Sequence, residues 1–142
     1  MQHMTVDDHY PVWVEEIAKS DTPWRDVDEI TAALRARILG FGATAFLGIF
    51  DHYGLNLREC EPLPMPMQDA KTILFCRGSK LQDPLLLALC PSAIGVADMG
   101  NRFVISFLDA PMVSPTEAMF QWVEELRTTK AGTKPAGRDQ SL

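Results

Sequence analysis

Between positions 92 and 110 the chain reads SAIGVADMGNRFVISFLDA, two apolar runs joined by Asp-Met-Gly-Asn. Short β-prone runs around a glycine-containing turn are the signature of a hairpin. In the second run Phe103, Ile105 and Phe107 alternate with Val104 and Leu108, so both faces of the strand are apolar. A half-wet sheet would carry polar residues on every second position. This hairpin therefore demands a sheet with something apolar on each side of it.

The segment SDTPWRDVDEITAALRARILGFG supplies one cover. Val27, Ile30, Leu34 and Ile38 recur at three- and four-residue steps and form one apolar helix face, with Arg35 and Arg37 on the wet side. Thr22 is the expected cap, Pro23 the first helical residue, and Gly40 and Gly42 the expected stops. A second helix is predicted where Ser114, Pro115 and Glu117 spell a capping box, with Met119, Trp122, Val123 and Leu126 as its buried stripe.

Further strands are read in YPVWVEEIA, with Val12, Val14 and Ile17 as its apolar positions, in ATAFLGIFDHY and in KTILFCRG. Between the last two, GLNLRECEPLPMPMQDA holds three prolines and reads as a loop with one short helical turn. QDPLLLALC suits a brief helical insert over 83–90, because Pro84 fits its start and Pro91 forces its end. The predicted order is strand, helix, four strands, helix. The expected fold is α+β, a mostly antiparallel sheet with two main helices on one face. Residues 1–127 are expected to form a single domain and 128–142 a polar, flexible tail. The sheet face without helices then needs a dimer partner or a ligand pocket. Phe107→Asp is the substitution expected to break such a dimer.

Composition excludes several classes. Thirteen lysines and arginines against nineteen acids give a net charge of −6, which repels a phosphate backbone, so no nucleic acid is expected. No apolar run reaches the roughly 18 to 20 residues of a membrane-spanning helix, and MQHMTVDDHYP lacks the layout of a secretory signal. Cys60, Cys76 and Cys90 contain no C-x-x-C spacing. That argues against a disulfide framework or zinc ribbon and for a reducing, cytoplasmic setting. No glycine-rich phosphate loop, dinucleotide fingerprint or G-x-S-x-G elbow occurs, and no cofactor is expected.

The residues able to carry chemistry cluster around FDHY. Asp51, His52 and Tyr53 end an apolar strand, and histidine can act as acid, base or ligand near neutrality. Strand alternation puts His52 on the side of Phe46 and Phe50, and Asp51 on that of Leu47 and Ile49, so the two point apart. The alternative is that Asp51 and Tyr53 cap loops while His52 is a hydrogen-bonded edge residue. His52, Cys60, Met65, Met67 and Cys76 are candidates for a soft, copper-type metal. Cys76 beside Arg77 is a candidate reactive thiol, since a neighbouring cation favours the thiolate. Asp51, His52, Tyr53, Cys76 and Arg77 are also the candidate ligand-binding residues.

FDHY, ILFCRGSKLQDPLLLALCPSAIGVA and FVISFLDAP together resemble a family of small bacterial proteins of unknown function, similar to the domain-of-unknown-function 302-like group. The resemblance spans about residues 10–127 and implies a small, dimeric α+β domain. The expectation is a cytoplasmic homodimer that binds a small molecule. The other readings are an enzyme using His52 in acid–base chemistry, a soft-metal protein, and a structural or protein-interaction role.

Overall fold

A computed structural model describes residues 1–42, 44–59, 62–77, 84–85, 91–109 and 113–127, with the backbone alone at residue 77 and at 113–115. The strands are β1 (Gln2–Val6), β2 (Tyr10–Ala18), β3 (Thr44–Asp51), β4 (Asp69–Arg77), β5 (Ser92–Asp98) and β6 (Arg102–Phe107). The α-helices are α1 (Val27–Gly40), α2 (His52–Arg58) and α3 (Val113–Glu124). One six-stranded sheet runs in the order β1-β2-β6-β5-β4-β3, and every pairing is antiparallel. The fold is α+β.

Cross-strand partners share a face, so the register sorts the side chains. Ile17, Phe103, Ile105, Phe107, Ile94, Val96, Ile73 and Phe75 lie on one face and are buried. On them sit Val27, Ile30, Leu34 and Ile38 of α1 and Ala118, Met119, Trp122 and Val123 of α3, in one continuous core. Both helices thus cover the same face, as their stripes require. Trp122 closes the joint, its ring edge-on to Phe75 and to Phe41 at 5.5 Å each.

Several details differ from the sequence reading. An additional edge strand, β1, precedes YPVWVEEIA; it is exposed along its length and so shows no apolar period. Asp7 and Asp8 turn the chain at φ 52° and 58°, a backbone that short polar side chains tolerate. In β2 the core-facing residues are Trp13, Glu15 and Ile17, while Val12 and Val14 lie on the other face. Helix α1 starts four residues later than Pro23 suggests. Asp26 caps it by accepting the Glu29 N–H at 2.8 Å, and Glu29 returns the bond by accepting the Arg25 N–H. The Thr22 hydroxyl is taken by the Leu126 carbonyl at 2.6 Å, tying the start of α1 to the end of α3. Phe41, in extended backbone, ends α1 in place of a left-handed glycine.

Phe107 is 3% exposed beneath α3, on the helix side. The outward neighbour is Leu108, at 54%. The DMGN turn is as expected: Gly100 takes φ 97°, and its N–H is held by the Asp98 carboxylate at 2.8 Å. The insert expected over 83–90 lies outside the described residues except Pro84 and Leu85, and so do the tail over 128–142 and the Ser114 cap.

Candidate functional site

FDHY does not end a strand in open loop. It is the junction of β3 and α2, and the break falls between Asp51 and His52. The Asp51 carboxylate accepts the Gly54 N–H at 2.9 Å and so caps α2. Glycine at 54 leaves room for this cap, because a Cβ there would meet Asp51 Oδ2 at 2.6 Å and push the carboxylate aside. Asp51 and His52 do point apart. Asp51 pairs across to Lys71 on the core side, whereas His52 turns with Phe50 to the face that α1 and α3 leave uncovered (the helix-free face, bordered only by the short α2), their rings 4.6 Å apart. A bulge between Phe46 and Gly48 shifts the alternation upstream, so Phe46 lies on the core side with Ile49.

His52 Nε2 lies 2.8 Å from the Thr72 hydroxyl on β4. This bond pins the first turn of α2 to the sheet. Asn56 follows one turn later on the same helical stripe. The two side chains form one wall of a concavity of about 440 Å³ on the helix-free face. Leu63 and Met67 add to the wall. Its floor is the middle of the sheet: Ala70 and Thr72 on β4, Gly95 and Ala97 on β5, Val104 and Ser106 on β6. These are small residues alternating with the large core residues on the same strands. The hollow exists because that face lacks bulk where the opposite face has it.

Lys71 also borders the hollow, but its ammonium points into acid. Asp28 lies at 2.9 Å, Asp69 at 3.6 Å and Asp51 at 3.9 Å. Burial alone would lower the lysine pKa; the hydrogen bond to Asp28 and the nearby charges of Asp69 and Asp51 outweigh it and hold the group above its ordinary value. A second charged cluster lies far along the sheet, where Glu15 sits under Arg127 and the Met1 amine. There too burial, which raises a carboxyl, is overcome by those two partners, and Glu15 is held below the usual range.

The candidate residues separate as follows. His52 and Met67 line the same hollow. Tyr53 is on the exposed side of α2, and Met65 is 91% exposed on its loop. Cys76 is half-buried on the helix-free face, four residues beyond Thr72 and so about 13 Å further along β4. Cys60 and the Arg77 side chain lie outside the described residues. Among the described residues no three His, Cys, Asp or Glu side chains converge as a metal-binding group, and no helix is long and apolar enough to cross a membrane. Asn56, Thr72, Gly95, Ala97 and Ser106 were not among the sequence candidates. For the strand residues the signal was present as small side chains interleaved with Ile73, Ile94, Val96 and Ile105; Asn56, on α2, had none.

No curated protein matches the sequence. A family model described as "Family of unknown function (DUF6858)" matches residues 1–128, nearly the whole length, and the chain belongs to that family.

Proposed function

We propose that the protein is a homodimeric cytoplasmic module that holds a small molecule in the hollow on the helix-free face of its sheet. The observation that carries this is the hollow itself: about 440 Å³, with a floor of small side chains and a wall of His52, Asn56, Leu63 and Met67. Small-molecule sites are concavities of this size, mostly apolar with a few placed polar groups. The homodimer is supported by Met4, Val6, Tyr10 and Leu108, large apolar side chains 45–60% exposed on that same face. Kinship with the 302-like group is proposed on the motifs quoted above.

The test is native mass spectrometry of the purified protein beside its Ala97→Leu variant, whose larger side chain fills the floor. A dimer carrying a small adduct that the variant loses supports the reading. A bare wild-type mass favours the structural or protein-interaction role.

One observation favours a second reading, acid–base catalysis by His52. The Thr72 hydroxyl at 2.8 Å fixes the orientation of an imidazole that lines the hollow, as a positioned acid or base requires. The copper-type reading draws on His52 and Met67 at one cavity. A metal-sized adduct in the same spectrum would select it.

A further inference from the structure

The floor of the hollow spans three adjacent strands and two outward residues on each, about 10 Å by about 7 Å of sheet. Gly95 and Ala97 lie at its centre and carry the least side-chain bulk of the floor, with the Ser106 hydroxyl leaning over Gly95, 3.3 Å from where a Cβ would stand. Met67 at the wall offers a thioether, and thioethers make favourable contacts with aromatic rings. These features suit a planar ring system.

The charge of the occupant follows from what lines the hollow. Lys71 is the sole charged residue among the described lining residues, and three carboxylates already surround its ammonium. On the neighbouring part of the same face, Glu16 and Arg102 pair with each other at 3.2 Å. An anion would meet no unneutralised cation, and a cation no carboxylate on the lining. Burying either without a partner is costly. The uncharged polar groups at hand are an amide and hydroxyls. His52 Nε2 is engaged by Thr72, and among the described residues no hydrogen bond occupies the Asn56 amide or the Ser106 hydroxyl.

Resting on the binding-module reading, we propose that the ligand is an uncharged, planar heterocycle of one or two rings, lying on Gly95 and Ala97 with its polar edge toward Asn56 and Ser106.

The experiment uses three probes of one shape: indole-3-carboxamide, indole-3-carboxylate and indol-3-ylmethylammonium. Each is titrated into the ¹⁵N-labelled full chain at neutral pH. The carboxamide is expected to shift the Gly95, Ala97 and Ser106 amides saturably, and the two charged probes to bind about tenfold more weakly, as unpaired burial of charge requires. Asn56→Leu should weaken the carboxamide, and Ala97→Leu should abolish all binding. A charged probe that binds these amides as tightly as the carboxamide overturns the proposed ligand class and leaves the hollow as a binding site. Failure of all three probes, together with a bare native mass, overturns both.

Discussion

His52 on α2 and Thr72 on β4 are joined by a 2.8 Å hydrogen bond between imidazole Nε2 and hydroxyl. Twenty residues apart in sequence, they hold the short helix against the sheet and shape one wall of the hollow. Seven residues are too few for a helix to persist by itself. Its position depends on this bond and on the Asp51 cap.

Thr72→Val removes the hydroxyl and leaves His52 without that partner. A loss of about 1 kcal/mol is expected, the usual net contribution of such a bond. Urea unfolding measures it, and His52→Ala in the same background should then add little. Additive losses would show that the two residues act independently.

Gly54→Ala tests the cap. The new methyl collides with the Asp51 carboxylate, so the carboxylate must leave the Gly54 N–H. The expected cost is about 1 kcal/mol, although alanine is the better helix former. A stabilised variant would mean that the cap does not hold α2.

Lys71 governs the alkaline limb of stability. Its pKa is raised in the folded state above the ordinary 10.5, so its contribution is complete below that value and is lost as pH rises through the folded-state pKa. Wild type should therefore lose stability above about pH 10.5 more steeply than Lys71→Met. At neutral pH Lys71→Met should cost about 2 kcal/mol, since three carboxylates lose their common partner. Stability that falls in parallel for the two proteins as pH is raised from about 10 to about 12 would refute the assignment.

Leu108→Asp places a charge on the helix-free face without touching the core. Sedimentation should show a dimer in wild type and a monomer in the variant, with stability of the monomer within about 0.5 kcal/mol. Phe107→Asp would unfold the protein, because Phe107 packs edge-on against Phe120 under α3. An unchanged sedimentation profile for Leu108→Asp would remove Leu108 from the interface.

Local pattern alone was enough for α1, α3 and the β5–β6 hairpin. Their stripes and turn residues satisfy propensity and burial at once, so Ile30, Leu34, Met119 and Val123 are all fully buried as their spacing required. It also carried the α+β class, because two one-sided helices must share a sheet. Tertiary structure decided the rest. Strand β1 has no apolar period, and its place comes from hydrogen bonding along the edge of β2. The face that Phe107 occupies was set by register, which a period of two leaves open until a strand finds its neighbours. The hollow, too, exists only once β4, β5 and β6 align their small residues side by side, far along the chain from the His52 that walls it in. A strand's sequence sets which residues share a face; only pairing across the sheet sets what those faces meet.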